Sequence, residues 1–432
     1  MNTTPKSLRL QIGIFGRTNA GKSSFLNLVA GQDAAIVSPV PGTTTDTVEK
    51  AMELLPIGPV MFLDTAGLDD ATELSAARLR KTAAVFERAD VFVLVVEAGA
   101  WGAFEERAAA EAGRRKAPLI LVANKIDLAP LTAQFLERLR AVSPRVIECS
   151  CADPGGRERV IRAFKAALIE VCPESFLTQP PIAGDLLPPG GSMVLVVPID
   201  LQAPKGRLIL PQVQVIRDAL DNDALCLVVK ESGLKRALAS LQRAPDLVVC
   251  DSQVVRKMVA ETPPAVQCTT FSILFARLKG DLVSAVRGVC ALDRLKAGDR
   301  ILVAEACSHH ALEDDIGRVK IPRWIRQYAG REYAVDVFAG RDYPENLADY
   351  RLVVHCGACM LTRREMLARI QKAERAGVAV TNYGVCISFV QGVLERVLSP
   401  FPAALEAFRR ERNAAAGGQA AGAWLPAQVA PG

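Results

Sequence analysis

All three histidines of this chain stand beside cysteines. They fall in two short clusters, Cys307-Ser308-His309-His310 and His355-Cys356-Gly357-Ala358-Cys359. Thiolate and imidazole are the ligands of zinc and of iron–sulfur clusters. A CxxC pair alone also serves redox work, so the second cluster gains weight from the first. Three thiolates, Cys307, Cys356 and Cys359, suit a [4Fe–4S] cluster. One iron is then left to His309, His355, water or an exchangeable group. Zinc held by three cysteines and one histidine is the other chemistry this set permits. His310 flanks the site. The chain has 11 cysteines. Those at 149, 151, 172, 226, 250, 268, 290 and 386 lack partners at ligand spacing, and most of them read as small buried hydrophobes.

A second constellation opens the chain. Gly16-Arg-Thr-Asn19-Ala-Gly21-Lys22-Ser23 fits G-x-x-x-x-G-K-[ST], between an apolar strand pattern and a helical one. Its glycines let backbone amides wrap phosphates, Lys22 neutralises their charge, and the Ser23 hydroxyl is placed to bind magnesium. Ser24 follows as a further phosphate-side position. Asp64-Thr-Ala-Gly67 ends a strand, where Asp64 can hold the magnesium shell and the Gly67 amide can sense the γ-phosphate. Asn124-Lys125-Ile-Asp127 ends another. A carboxylate there accepts from guanine N1–H and N2–H, which adenine does not offer. Ser150-Cys151-Ala152 fits a backbone contact to guanine O6. The order and spacing resemble the translation-factor class of small GTPases, which implies GTP and Mg2+ as ligands.

The elements that must position these residues follow from apolar runs. Strands are expected at Leu10–Phe15, Val60–Leu63, Val91–Val96, Leu119–Ala123 and Val146–Cys149, alternating with helical patterns in an α/β parallel-sheet domain over 1–172. Residues 173–192, with Gln179-Pro-Pro and Leu187-Pro-Pro-Gly-Gly, read as a linker. A small α/β module over 193–264 takes strands at Met193–Ile199, Leu225–Val229 and Leu247–Cys250, and self-association is its expected role. A third α/β module over 265–412 takes strands at Ile301–Ala304, Tyr333–Val337, Arg351–Val354 and Val378–Thr381. If these run parallel, Cys307 and His355–Cys356 emerge at one sheet edge, where α/β sheets place ligands. Asn382-Tyr383-Gly384 would reach the same edge, which makes Tyr383 and Cys386 candidate neighbours of the site. The Ala/Gly-rich tail over 413–432 reads as disordered.

Composition limits the alternatives. Net charge is +5, from 52 basic and 47 acidic residues, and aromatics are 5%. Neither a nucleic-acid surface nor a base-stacking platform is indicated. No apolar run reaches about 18 residues, so no membrane span is expected. The start of the chain lacks the apolar core of a signal peptide, and the cysteine usage fits a reducing cytoplasm.

Pro41-Gly-Thr-Thr44-Thr-Asp46 resembles the GTTxD switch of the TrmE–Era GTPase branch. By that resemblance Thr44 is a magnesium ligand, and Asn19 stands where potassium-activated members hold K+ against the phosphates. Leu68 stands where Ras-like proteins carry glutamine, so hydrolysis is expected to be slow. Such a GTPase followed by C-x-H and then H-C-x-x-C is similar to the HydF family of [FeFe]-hydrogenase maturation GTPases, over the chain to about Arg412.

The resemblance implies a scaffold with a dimerisation domain in the middle, forming a homodimer or a higher assembly. It implies a [4Fe–4S] cluster on Cys307, Cys356 and Cys359, with His309 and His355 at the matching positions. It implies a transient diiron precursor, assembled with the radical-SAM maturases HydE and HydG and delivered to the apo-hydrogenase HydA. Two other classes of GTPase would need different features. A ribosome- or tRNA-directed GTPase would need a basic module behind the GTPase or a modification domain ahead of it, and neither is seen. A zinc-regulated GTPase would be colourless, whereas an iron–sulfur protein is brown.

Overall fold

The computed structural model describes residues 8–30, 48–54, 57–64, 83–172, 180–199, 208–306, 315–340, 343–344, 346–358 and 361–416. Thr44, Gly67, Leu68, Cys307, His309, His310 and Cys359 lie outside the described residues. The chain divides into two compact units, Met1–Pro180 and Pro181–Gly432.

The first unit is a six-stranded sheet in the order β2-β3-β1-β4-β5-β6. Its strands are β1 (Leu10–Phe15), β2 (Val48–Leu54), β3 (Gly58–Asp64), β4 (Val91–Glu97), β5 (Leu119–Asn124) and β6 (Val146–Glu148). β2 pairs antiparallel with β3, and the other pairings are parallel. β1 and the apolar run Val91–Val96 of β4 are buried from end to end, as strands covered on both faces must be. Separate buried clusters cover the two faces, one around Phe25, Phe62 and Phe164 and the other around Phe15, Phe92 and Phe104. β2 has no place in the sequence reading because it is no apolar run. Met52 and Leu54 face in while Glu53 faces out, the alternation of a half-covered edge strand.

The second unit holds two four-stranded sheets. One runs β10-β9-β7-β8, from β7 (Ser192–Val196), β8 (Leu225–Val229), β9 (Leu247–Cys250) and β10 (Gln267–Thr270). The other runs β12-β11-β13-β14, from β11 (Arg300–Ala304), β12 (Ala334–Phe338), β13 (Leu352–His355) and β14 (Ala379–Asn382). Every pairing in both is parallel. One buried cluster runs from Ile182 to Phe408 and joins the two sheets.

Three expected boundaries change. The strand Gln267–Thr270 pairs with Leu247–Cys250, so the middle module continues past 264, a non-local pairing that residues 265–270 do not announce. The expected linker ends earlier than 192. The Asp218 carboxylate accepts the amides of Ile182, Ala183 and Gly184 at 2.9, 2.8 and 2.8 Å, and Ile182 and Ala183 are buried in the core. At the far end, the helix Pro402–Ala416 carries order past 412, and 417–432 lie outside the described residues. No helix among the described residues is long and apolar enough to cross a membrane.

Candidate nucleotide site and cysteine edge

β1 delivers the phosphate loop. Gly16 has φ +153°, and a Cβ there would meet the Val95 carbonyl at 2.5 Å. Gly21 has φ +95°, and its Cβ would strike the Asn124 amide at 2.1 Å. Both positions require glycine. Between them Asn19 takes φ 63°, a left-handed conformation that asparagine tolerates, with its side chain exposed. Lys22 is buried, and its ammonium donates to the carbonyls of Gly16 at 2.9 Å and Arg17 at 2.7 Å, tying the loop from inside. The helix Lys22–Ala30 starts here, so its free amides and positive dipole end face the loop.

The Ser23 hydroxyl donates to Asp64 Oδ2 at 2.9 Å, and Ser24 beside it is exposed. Asp64 Oδ1 is buried and has no partner among the described residues. Burial raises the Asp64 pKa above the ordinary carboxylate value, against the pull of the Ser23 bond and of Lys22 and Lys50. A hydroxyl and an orphaned carboxylate oxygen set side by side fit a hard, oxygen-seeking cation such as magnesium.

At the base end, Asn124 finishes β5 and is buried. Its amide donates to the Ala20 carbonyl at 3.0 Å, and its carbonyl accepts the Cys151 amide at 3.1 Å. One side chain thus joins the phosphate loop to the Ser150-Cys151-Ala152 loop. Lys125 takes φ 63° and pairs with Glu97 at 3.1 Å, and Asp127 is exposed, open to a base. Cys149 and Cys151 face each other at 3.5 Å between sulfurs, so these two are not isolated as their spacing led us to expect.

The cysteine edge belongs to the second unit. β11 and β13 are neighbours in register, Ala304 opposite His355, so their carboxyl ends lie side by side. The Cys356 amide donates to the Ala304 carbonyl at 2.9 Å. The Ala306 amide donates to Cys356 Sγ at 3.1 Å, one residue before Cys307. Backbone N–H groups aimed at a cysteine sulfur favour its thiolate and tune iron–sulfur centres. The structure thus brings Cys356 against the segment that leads into Cys307.

His355 does not offer itself in the same way. It is fully buried, and Arg369 Nη1 lies 3.2 Å from Nε2 while the Cys356 carbonyl lies 3.1 Å from Nδ1. A guanidinium only donates, so Nε2 accepts and Nδ1 carries the proton. Burial and the nearby Arg369 charge push its pKa down to about 3, so the ring is neutral. Both nitrogens are engaged by protein groups, which argues against His355 as a metal ligand and for a role in holding the end of β13.

Asn382 ends β14 and caps the helix Tyr383–Val390 through the amides of Gly384 and Val385. Cys386 lies inside that helix, buried, with its thiol pushed up to about 12 by burial. It packs as a hydrophobe rather than neighbouring the edge chemically. Tyr383 approaches Gly317, where a Cβ would meet its hydroxyl at 2.0 Å. Sequence reasoning missed Glu305, buried between β11 and Cys307 and paired with Arg318 at 3.2 Å, and it missed Arg369 and Lys279. Lys279 is buried and donates to the carbonyls of Ala358 at 3.2 Å and Leu361 at 2.8 Å. None of these has a motif, since tertiary packing alone brings them to the edge.

Known proteins align with this architecture in pieces. A GTPase family model described as 50S ribosome-binding GTPase matches residues 11–125. Among curated relatives, the tRNA modification GTPase MnmE of Synechococcus sp. (strain JA-3-3Ab) is 50% identical over 125 residues, 28% of this chain and 26% of its own length. GTPase Der of Persephonella marina (strain DSM 14350 / EX-H1) is 36% identical over 141 residues, 31% of each. The chain therefore spans only 26% to 31% of the length of these relatives. Among solved structures, the G domain of the T. maritima FeoB iron transporter is 18% identical, covering 38% of this chain and 98% of its own, at a TM-score of 0.29. Two further models match later in the chain, Hydrogen maturase F dimerization domain over 182–280 and Hydrogen maturase F tetramerization domain over 283–400. Set behind a P-loop GTPase domain, these two domains show that the chain belongs to the hydrogen maturase F family.

Proposed function

We propose that this chain is a GTP-hydrolysing carrier that holds a [4Fe–4S] cluster on Cys307, Cys356 and Cys359. In this reading it receives a diiron precursor as cargo and hands it to an apo-[FeFe]-hydrogenase. The observation that carries the reading is the Ala306 amide on Cys356 Sγ at 3.1 Å, on a sheet edge that lies inside a hydrogen maturase domain. Two CxxC thiolates and Cys307 leave one iron of such a cluster without a cysteine. That iron supplies an exchangeable docking point for a metal fragment. With His355 engaged by Arg369, its remaining candidates are His309, water or a group of the cargo.

At the nucleotide site each residue has a separate task. Lys22 and the loop amides hold the phosphates. Ser23 and Asp64, with Thr44 and the Gly67 amide, hold magnesium and sense the γ-phosphate. Asp127 selects guanine by accepting from N1–H and N2–H. Asn19 is assigned to K+, whose charge would stand in for an arginine finger, and Leu68 orients no water, so turnover is slow. HydE and HydG are proposed as the source of the precursor and HydA as its recipient, in the cytoplasm. The β8 edge, with Leu225, Leu227 and Val228 exposed, supports self-pairing of the dimerization domain.

Incubating the reconstituted, precursor-loaded chain with apo-hydrogenase and measuring hydrogen evolution tests this. Activation that depends on Cys356 is expected. A chain that purifies with one zinc and activates nothing would contradict it.

A further inference from the structure

The helix Phe271–Lys279 closes the segment matched by the dimerization model, and it is gripped on two faces. Side chains two apart on an α-helix point about 200° apart. Arg277 reaches one way, donating to the carbonyls of Pro181 at 3.1 Å and Ile182 at 3.0 Å and pairing with Asp185 at 2.6 Å. Lys279 reaches the other way, to Ala358 and Leu361 in the loop that carries the CxxC cysteines. At the helix start, the Ser272 hydroxyl donates to Asn382 Oδ1 at 3.1 Å and accepts the Gly384 amide at 3.1 Å. The helix is therefore fixed to the carboxyl ends of both β13 and β14.

Ala358 is strained. It has φ 53° with a Cβ present, a left-handed conformation that an alanine does not choose unaided. Its side chain is buried, so solvent does not explain the conformation. Lys279 is 3% exposed, and a buried ammonium needs oxygen partners, so it pulls on the two carbonyls that bracket this stretch. Lys279 and Cys356 also line the same small cavity of about 20 Å3.

We propose that Lys279 is the positioning residue of the cysteine loop: by drawing in the Ala358 and Leu361 carbonyls it keeps Ala358 left-handed, and so fixes the backbone between Cys356 and the next thiolate in sequence. The inference rests on the cluster reading above. It places a control on cluster geometry in the last residues of the dimerization domain.

The test is the rate at which a ferrous chelator, bathophenanthroline disulfonate, strips iron from the reconstituted full-length chain, with the electron paramagnetic resonance (EPR) spectrum recorded beside it. Lys279→Met should lose iron about 10-fold faster than wild type and shift the g-values, the usual scale for a supporting residue. Adding Ala358→Gly to that variant should restore most of the difference, because glycine takes a positive φ without help. If Lys279→Met does not fold, Lys279→Gln, polar but one bond too short to reach both carbonyls, carries the same two readings. Wild-type kinetics in the Lys279 variant would overturn the proposal while leaving the cluster reading intact. Fast loss that Ala358→Gly does not repair would overturn it too, as damage unrelated to loop conformation. A wild-type chain that binds no iron would remove the cluster reading and this inference together.

Discussion

Arg369 donates to Nε2 of His355 at 3.2 Å, and this contact decides what that histidine can do. A lone pair occupied by a guanidinium is not presented to a metal. Replacing His355 by Gln should leave the iron content per folded chain unchanged, measured after reconstitution. A folded variant without iron would return His355 to the ligand set. Arg369→Met should instead destabilise the second unit by about 1–3 kcal/mol, because Nε2 and the Gly340 carbonyl would both lose a buried donor. Denaturant unfolding of the variant reads this directly.

Asp64 sets a pH dependence whose sign follows from burial. Its folded pKa is raised, so the nucleotide-free folded state holds the proton more tightly than the unfolded state does. Stability from this group is full below the unfolded value and is lost as pH rises from there through the raised folded pKa. Without magnesium, Asp64→Asn should remove that slope and melt higher than wild type near neutral pH. With magnesium and GTP the same variant should hydrolyse about 100-fold more slowly, a charge lost from the metal shell. A variant that melts lower than wild type without metal would contradict the burial account.

Asn124 holds two loops with one amide, through the Ala20 carbonyl and the Cys151 amide. Asn124→Ala leaves both groups without their partner, at a cost of about 1–3 kcal/mol in stability. GDP affinity should fall in parallel, because the proposed site assigns both loops to the nucleotide. Calorimetric melting and a fluorescent-GDP titration would show both losses, and loss of one alone would mean that the bridge does not couple them.

Asp127 is exposed, so the role proposed for it lies with the ligand rather than with the fold. Asp127→Asn should leave the melting temperature unchanged. It should weaken GTP and improve xanthosine triphosphate, since an amide donor meets the xanthine O2 where the carboxylate met N2–H. A site built on such hydrogen bonds discriminates by about 10⁴-fold. An unchanged preference for GTP would place base recognition elsewhere.

Much of this was legible in the sequence because apolar runs and glycine motifs are local signals. All five strands expected in the GTPase unit end within a residue of the observed ones; four also begin where expected, and the fifth, expected from Val60, begins two residues earlier, at Gly58. The same runs locate β11 and β13, while their parallel pairing, only a condition in the sequence reading, is what sets Cys356 against Ala306. What was not legible depends on distant partners. β2 alternates weakly, β10 declares itself only by pairing with β9, and the linker residues Ile182–Gly184 fold because Asp218 accepts their amides. Lys279, Glu305 and Arg369 carry no sequence signal, since burial of a charge is decided by groups that sequence proximity does not reveal.

EPR of the anaerobically reconstituted and reduced chain, with iron and zinc analysis, tests the proposed cluster at the cysteine edge most directly. The expected result is a [4Fe–4S]⁺ signal at about four irons per chain, absent from Cys356→Ser while GTP hydrolysis persists in that variant. An EPR-silent chain holding one zinc, or a signal untouched by Cys356→Ser, would contradict it.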